Sequence, residues 1–273
     1  MSRQLALFLR NPMVVNHEIP ARTPLPEMVE DLNALSPWGL FGYASALAML
    51  AGEALAGRLR IEPTLVGASS EPLLHPMEDL LRDAFGVEPS NTYAVTELGG
   101  LAARSVPGGS GLRLVEDIAV YEVDATGHLL VTNVLNKALP LIRYRLGDRV
   151  RIDADPDGAL WTGRRLVIDD ASGASFAYPG GATVEASVLV EAMAGHRDVV
   201  DYAVEQTPRG LAATLWAPRH SLAEAETASI RRDLAQVLTG AGLRDPHVTA
   251  RVVAEPGGLP QTPAGKRRRF TPL

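Results

Sequence analysis

The sequence contains no cysteine. This absence excludes disulfide bonds, a thiol nucleophile and any zinc or iron–sulfur centre held by cysteine ligands. The six histidines are scattered along the chain, without the close spacing that is typical of metal ligands. No metal site built on cysteine or histidine is therefore expected.

An excess of positive charge is also missing. Lysine and arginine together number 26, against 32 aspartates and glutamates, so the formal net charge is −6. Proteins whose main function is to bind nucleic acid usually carry a basic surface, and this balance disfavours one. We therefore predict that nucleic acid is not a partner.

No hydrophobic segment is long enough to span a membrane, because a spanning helix needs about 20 apolar residues. Leu5–Leu9 is too short for a span and does not make the start of the chain a convincing signal peptide. The apolar run Ala44–Ala51 is interrupted by Gly52-Glu53. These features predict a cytoplasmic protein with no membrane partner.

Two familiar catalytic motifs are missing as well. The sequence has no Gly-x-Ser-x-Gly nucleophile elbow. The glycine-rich stretches at 108–111 and 179–181 lack the lysine and hydroxyl residue that complete a nucleotide-binding P-loop. Both stretches are interpreted as turns.

The composition is that of a globular protein, with 46% hydrophobic and 21% charged residues, and 273 residues suffice for two domains. Hydrophobic periodicity and turn residues indicate three sections. The first has helices over 24–35, 45–56 and 72–85 and strands over 63–67 and 91–95; the second has strands over 112–123, 128–133, 150–153 and 159–162; the third has helices over 184–193 and 221–238, a hairpin over 199–217 and a strand over 248–253.

This order predicts a mixed α/β and α+β fold in two domains. Residues 1–163 form a strand–helix unit followed by a β-rich subdomain, and residues 164–273 form a small α+β domain. Two helix starts carry capping signals. Ser69 or Ser70 is expected to cap the third helix, and Ser221 with Glu224 is expected to form a capping box on the last helix.

The most informative ten residues are 139–148, Leu-Pro-Leu-Ile-Arg-Tyr-Arg-Leu-Gly-Asp. An apolar run that carries Arg143 and Arg145 is unusual for a buried strand. The carboxylate of Asp148 can accept hydrogen bonds from two ribose hydroxyls, and the two arginines can face phosphate. The segment therefore suits nucleotide binding, although a Gly-Asp at a hairpin turn is the simpler interpretation when it is taken alone.

Three further motifs accompany this segment in a fixed order. Tyr93-Ala94-Val95-Thr96-Glu97 precedes it, Gly163-Arg164 follows it, and Thr262-Pro263-Ala264-Gly265-Lys266 lies near the end of the chain. In this order the motifs resemble those of adenylate-forming enzymes, in particular the phenylacetate–CoA ligase branch. Three details depart from the family pattern. Ala94 stands where glycine is usual, Asp169-Asp170 follow the Gly-Arg pair later than usual, and Arg113 lies where relatives of this branch often have histidine.

The resemblance implies a role for each motif. Tyr93 would contact adenine, the Thr96 hydroxyl would bind the α-phosphate, and Glu97 would hold Mg²⁺, which prefers one or two carboxylates together with phosphate oxygens. Asp148 would bind the ribose, and Arg164 would mark the hinge between the two domains and contribute to the nucleotide site.

Lys266 is implied to be catalytic, together with Thr96 and Glu97. A lysine after a flexible glycine can bind the attacking carboxylate and neutralise charge that develops on the α-phosphate. Simpler interpretations remain open for each motif. Thr96 and Glu97 can be a solvated strand end, Arg164 a surface residue beside a turn, and Lys266 with Arg267–Arg269 a frayed basic tail.

The resemblance covers only the later part of a typical adenylating enzyme, so the large domain is predicted to be truncated. Nothing in Met1–Ile19 resembles the Ser/Thr/Gly-rich loop and lysine that cradle the β- and γ-phosphates in that family. Three hypotheses follow: a compact enzyme, one part of a split enzyme whose partner chain supplies the loop, or a non-catalytic relative that acts as a binding or regulatory subunit.

For the catalytic hypotheses, the family implies ATP and Mg²⁺ as cofactors and a small carboxylic acid, aryl or arylacetic, as substrate. The acyl group would pass from the acyl-adenylate to a thiol or an amine, with coenzyme A or the phosphopantetheine of a carrier protein as the candidate thiols. A complementary subunit or a second copy of the chain would be the protein partner.

Overall fold

The computed structural model describes residues 15–105, 111–154, 163–170, 174–218 and 222–273. The predicted strand 159–162 and its preceding turn, as well as Ser221, lie outside these ranges. Within the described residues, no helix has the length and apolar character needed to cross a membrane.

The first section is a βαβαβ unit, and its elements alternate along the chain. They are α1 (Leu25–Leu35), β1 (Gly39–Gly42), α2 (Ala44–Leu55), β2 (Leu65–Ser69), α3 (His75–Phe85) and β3 (Ser90–Val95). Strands β1, β2 and β3 are neighbours and parallel. Their carboxyl ends therefore meet along one edge, which is where open α/β sheets place their ligands.

The same sheet continues as an antiparallel section, so that nine strands in the described residues form one sheet of order β1-β2-β3-β4-β5-β9-β8-β7-β6. The additional strands are β4 (Gly100–Ser105), β5 (Leu112–Leu114), β6 (Ala119–Val123), β7 (His128–Asn133), β8 (Tyr144–Asp153) and β9 (Arg165–Asp170). Strand β9 lies between β5 and β8. The large sheet therefore extends past Gly163, beyond the point at which the sequence places the domain boundary.

The third section contains a second sheet of order β14-β13-β12-β15, a two-stranded sheet of β10 and β11, and two helices. These elements are β10 (Ser175–Ala177), β11 (Thr183–Glu185), α4 (Ala186–Ala194), β12 (Asp201–Thr207), β13 (Gly210–Trp216), α5 (Glu224–Gly240), β14 (His247–Val253) and β15 (Phe270–Thr271). The architecture confirms the predicted sequence of a strand–helix unit, a β-rich section and a small α+β section.

The first and third sections share one hydrophobic core. Val200, Trp216 and Leu259 of the third section are buried in the same cluster as the inner faces of α1, α2 and α3. Gly52 of α2 lies so close to the Trp216 ring that a β-carbon there would be 3.5 Å from it. The α+β section is thus packed against the helices of the first section by apolar contacts that are removed from water.

Three predicted helix starts are wrong. Helix α3 begins at His75 after Leu74, without a side-chain cap, so neither Ser69 nor Ser70 caps it. The helix predicted from Val184 begins at Ala186, because Thr183–Glu185 pairs with Ser175–Ala177 as a strand. Helix α5 begins at Glu224, with Ala223 at its N-cap position and no side-chain cap.

Candidate functional site: a cleft at the ends of the parallel strands

A cleft with a volume of about 1800 Å³ opens at the carboxyl ends of the three parallel strands. Tyr43 follows β1 directly, Ser69 ends β2 and Ser70 follows it, and Thr96 follows β3; all four residues line the cleft. Ser70 has a φ of +68°, a left-handed conformation that residues other than glycine adopt rarely. The βαβαβ topology therefore delivers polar side chains from three separate segments to one place.

Tyr93 and Asp148 meet in this cleft. The Tyr93 hydroxyl donates a short hydrogen bond to Oδ2 of Asp148. Tyr93 is on β3 and Asp148 is on β8, four strand positions apart, which is about 19 Å in a flat sheet. The pair therefore requires a strongly curved sheet. Register shifts at Tyr93/Ala94 and Arg149/Val150 are consistent with this, because bulges bend strands and redirect side chains.

The environment of Tyr93 keeps its hydroxyl protonated. Burial is the largest cause of a raised pKa for Tyr93, and the hydrogen bond to Asp148 and the negative charges of Asp148 and Glu97 act in the same direction. A protonated hydroxyl is a donor and leaves the second oxygen of Asp148 available as an acceptor. The pair is thus suited to bind a ligand that presents hydroxyl groups.

Thr96 and Glu97 lie in a short 3₁₀ turn after β3, which Gly99 ends with a φ of +79°. Thr96 is exposed and lines the cleft, whereas Glu97 is half-buried and is not among the lining residues. Among the residues that the structure describes, no cluster of three or more His, Asp or Glu side chains suits a metal ion. A single carboxylate beside Thr96 still fits Mg²⁺ that is bound mainly through phosphate oxygens.

Lys266 reaches the same cleft from the end of the chain. Its backbone forms a tight turn in which Thr262 N–H donates to the Lys266 carbonyl at 2.8 Å and Gly265 has a φ of +81°. The Lys266 Nζ is 5.7 Å from the centroid of the Tyr43 ring, within range of a cation–π interaction. The basic end of the chain is therefore ordered in the structure and not a frayed tail.

Two arginines beyond Lys266 are buried instead of solvated. Arg267 Nε and Arg269 Nε donate to the two carboxylate oxygens of Asp201, at 2.6 and 3.0 Å. Asp201 is fully buried, and each arginine is 7% exposed. We call these three residues with Glu71, which accepts a hydrogen bond from the Arg267 backbone N–H, the buried charge cluster.

Tyr43 and Glu71 also line the cleft, and the sequence motifs assign no role to either side chain. Burial raises the pKa of the Tyr43 hydroxyl, and the nearby charge of Glu71 adds to the shift. Tyr43 follows the segment Trp38-Gly39-Leu40-Phe41-Gly42, which contains two aromatic residues. This concentration is unusual in a chain with only 5% aromatic residues and is the one sequence feature that points to Tyr43. The hydrogen-bond partners of Glu71 are distant from it in sequence, so no local sequence pattern predicts its contacts.

Gly163-Arg164 lies against the large sheet and not in the cleft. A β-carbon on Gly163 would be 2.3 Å from the Leu114 carbonyl oxygen, so this close approach requires glycine. Arg164 donates to Glu116 at 2.9 Å and to the Tyr121 carbonyl at 2.9 Å. For Arg164 to contact a nucleotide in the cleft, its pair with Glu116 would have to break.

The expectation that Arg143 and Arg145 face phosphate is wrong in this structure. Arg143 pairs with Glu122 at 3.2 Å, and Arg145 donates to Asp124 at 2.9 Å. Both carboxylates belong to the β6–β7 hairpin, and neither arginine lines the cleft. Pairing with nearby acidic residues satisfies these cations, so of this segment only Asp148 reaches the cleft.

Comparison with solved structures identifies the fold. The chain superposes on 2-hydroxyisobutyryl-CoA ligase in the postadenylation state with a TM-score of 0.69 at 17% identity, over 91% of this chain and 57% of the ligase chain. For anthranilate CoA ligase AuaEII in complex with anthranoyl-AMP, the TM-score is 0.62 at 18% identity, over 92% and 52%. For Klebsiella oxytoca NpsA in complex with 3-hydroxyanthranilyl-AMSN, it is 0.57 at 17% identity, over 90% and 55%.

The chain therefore has the fold of adenylate-forming CoA ligases and adenylation domains, and it spans little more than half of their length, 57% for the first of them. An open conformation of the 2-hydroxyisobutyryl-CoA ligase superposes less well, with a TM-score of 0.50 at 17% identity, over 90% of this chain and 57% of the ligase. No family model and no curated protein sequence matches the chain.

Proposed function

We propose that the cleft binds ATP and a small carboxylic acid and joins them as an acyl-adenylate, whose acyl group then passes to a thiol or an amine. The phenylacetate–CoA ligase branch is the proposed affiliation, and an aryl or arylacetic acid is the proposed substrate. The observation that carries this proposal is the convergence of Tyr93, Thr96, Asp148 and Lys266, from three separate segments, on one cleft.

In the proposed reaction, a carboxylate oxygen of the acid attacks the α-phosphorus of ATP. A new P–O bond forms as the bond to pyrophosphate breaks, and pyrophosphate carries away the electron pair. One carboxylate oxygen of Asp148 would accept hydrogen bonds from both ribose hydroxyls, while the Tyr93 hydroxyl donates to the other oxygen. Thr96 would donate to an α-phosphate oxygen, and Lys266 would neutralise the charge that builds up on the phosphate.

Mg²⁺ would neutralise the phosphates of the bound nucleotide, and Glu97 is the residue proposed to hold it. Its placement supports this role, because it directly follows Thr96, which lines the cleft, in the short 3₁₀ turn after β3. Both residues are proposed to belong to the catalytic machinery together with Lys266.

The acceptor and the protein partners are proposed from chemistry. Coenzyme A, the phosphopantetheine thiol of a carrier protein, or an amine would attack the acyl-adenylate. A complementary subunit or a second copy of the chain is the proposed protein partner, and it would contribute to the phosphate end of the site. Residues 164–273, with Arg164 at the hinge, are proposed as the small domain that moves between the two half-reactions.

Carboxylate-dependent exchange of labelled pyrophosphate into ATP tests this function. The wild-type chain is incubated with Mg-ATP and, in separate reactions, benzoate, phenylacetate, anthranilate and 2-hydroxyisobutyrate. We expect exchange with at least one acid above the reaction without acid. Exchange that is absent with every acid, including in the presence of lysate from the source organism to supply a partner, would reject acid activation.

A non-catalytic binding or regulatory subunit is the second candidate. The shared hydrophobic core of the first and third sections, with Trp216 and Leu259 buried in it, favours this candidate because it opposes the rotation that the second half-reaction needs. Under this alternative the cleft binds a nucleotide or adenylate and does not turn it over. Saturable AMP binding without pyrophosphate exchange would distinguish it from the enzyme.

A further inference from the structure

Glu71 connects three parts of the molecule through one buried carboxylate. It follows β2, it is 9% exposed, and it lines the cleft. Its Oε2 accepts the backbone N–H of Ser45 at 2.9 Å, and its Oε1 accepts the backbone N–H of Arg267. Two backbone donors that are more than 200 positions apart in the chain are thus held by one side chain.

The contact with Ser45 satisfies a requirement of helix α2. The first backbone N–H groups of a helix have no partner inside the helix, and a negative charge near them is stabilised by the helix dipole. Tyr43, at the N-cap position of α2, provides no side-chain cap. The Glu71 carboxylate acts as the missing cap, so the hydrogen bond from the start of the helix fixes its position.

The contact with Arg267 fixes the residue that directly follows Lys266. The Arg267 side chain is anchored separately, because its Nε donates to Asp201 and its Nη1 donates to the Leu259 carbonyl at 2.9 Å. Lys266 itself is held from the other side by its N–H to the Thr262 hydroxyl at 3.2 Å. With its backbone bound on both sides, Lys266 is presented to the cleft beside Tyr43.

We propose that Glu71 is a positioning residue for Lys266: its buried carboxylate binds the backbone of the lysine segment to the start of α2 and so holds the Lys266 amine in the cleft. The kinetic part of this inference rests on the proposed function. The structural part does not, because it concerns only where Lys266 lies.

Chemical labelling tests the structural part without any enzymatic assay. The sequence contains two lysines, Lys137 and Lys266, so an amine-reactive N-hydroxysuccinimide ester followed by peptide mass spectrometry reports on each separately. Lys137 is exposed and serves as the internal reference. In Glu71→Gln, we expect the labelling rate of Lys266 relative to Lys137 to rise roughly threefold or more, because the amide NH₂ that replaces one carboxylate oxygen cannot accept a hydrogen bond from a backbone N–H.

The control for labelling is Glu205→Gln, which neutralises an exposed glutamate on β12 and should leave the ratio unchanged. A thermal melt establishes that each variant is folded; if Glu71→Gln is not, Glu71→Asp, which keeps the charge but shortens the side chain, replaces it with the same expectation. An unchanged ratio in a folded Glu71 variant overturns the proposal.

The kinetic part is tested in the pyrophosphate exchange assay with a double-mutant cycle. Glu71→Gln should lower kcat roughly ten- to hundredfold with the KM for ATP within about twofold, the effect of a displaced catalytic group. In a Lys266→Ala background the same change should cost nothing further, because Glu71 acts through Lys266. If the two substitutions instead lower kcat by independent factors that multiply in the double variant, Glu71 does not act through Lys266 and the positioning role is overturned. If the wild type shows no exchange, the proposed function fails while the labelling result still decides the placement of Lys266.

Discussion

Lys266→Ala is expected to lower the rate of acid-dependent pyrophosphate exchange about a hundredfold, equivalent to ~3 kcal/mol of transition-state stabilisation. The cation lies in the cleft near Tyr43, and it is one of only two lysines in the chain. Its proposed role is to balance charge that develops as pyrophosphate departs, so it should matter little for the ground state. The affinity of Lys266→Ala for ATP, measured by calorimetry, should therefore change by no more than about threefold, since interactions made only in the transition state do not contribute to ground-state binding.

Lys137→Ala is the matched control for this prediction. It removes the other lysine, which is exposed and lies outside the cleft, and should leave both exchange and ATP affinity as in the wild type. An equal loss of exchange rate and ATP affinity in Lys266→Ala would contradict the catalytic role, because it would show that Lys266 only binds the ground state.

Asp201→Asn is expected to be the most destabilising single substitution considered, at about 3–5 kcal/mol. The Asp201 carboxylate is fully buried and accepts from both Arg267 and Arg269. Asparagine has nearly the same shape but no charge, so two buried guanidinium groups would lose the carboxylate with which both form ion pairs. Urea unfolding followed by circular dichroism gives the change in the free energy of unfolding.

Glu88→Gln provides the comparison for an exposed ion pair. Glu88 pairs with Arg82 at 2.8 Å on the surface, with 67% of its side chain exposed. Exposed pairs contribute little to stability, because water and salt screen them and ordering the side chains costs entropy. A similar loss of stability in both variants would show that burial does not distinguish Asp201, and the assignment of the buried charge cluster would be wrong.

Elements governed by local sequence were predicted well. Helix α1 matches its prediction because Met28 and Leu32 fall on one face, and both are buried. The break between the predicted strands 112–123 and 128–133 is a turn, because Asp124 accepts hydrogen bonds from the N–H groups of Thr126 and His128 in its own loop. Such patterns depend on neighbours within a few residues, which the sequence displays directly.

Two kinds of feature were missed, a local helix start and strand pairings between distant residues. Pro72 was taken as the start of α3, whereas Pro76 occupies the first turn, the place where proline is favoured. Strand β8 begins at Tyr144 because it pairs with β7, and β15 exists only because Phe270 pairs with Val204. No local sequence pattern predicts which distant strands will pair.

The candidate site shows the same division. Tyr93, Thr96, Asp148 and Lys266 were selected from motifs, and all four line the cleft. The buried charge cluster escaped prediction because Asp201 lies more than 60 positions before the arginines that it binds, which in sequence resemble a solvated basic tail. Their burial follows from tertiary packing alone.

Calorimetric titration of the purified chain with AMP tests the central claim, that the cleft is a nucleotide site centred on Asp148, most directly. The account predicts saturable binding by the wild type and by Asp117→Ala, which removes an exposed carboxylate outside the cleft. In Asp148→Ala, affinity should fall roughly ten- to hundredfold, because hydrogen bonds to a charged group contribute about 1.5–3 kcal/mol. Equal affinity in Asp148→Ala and the wild type, or no saturable binding by the wild type, would contradict the account.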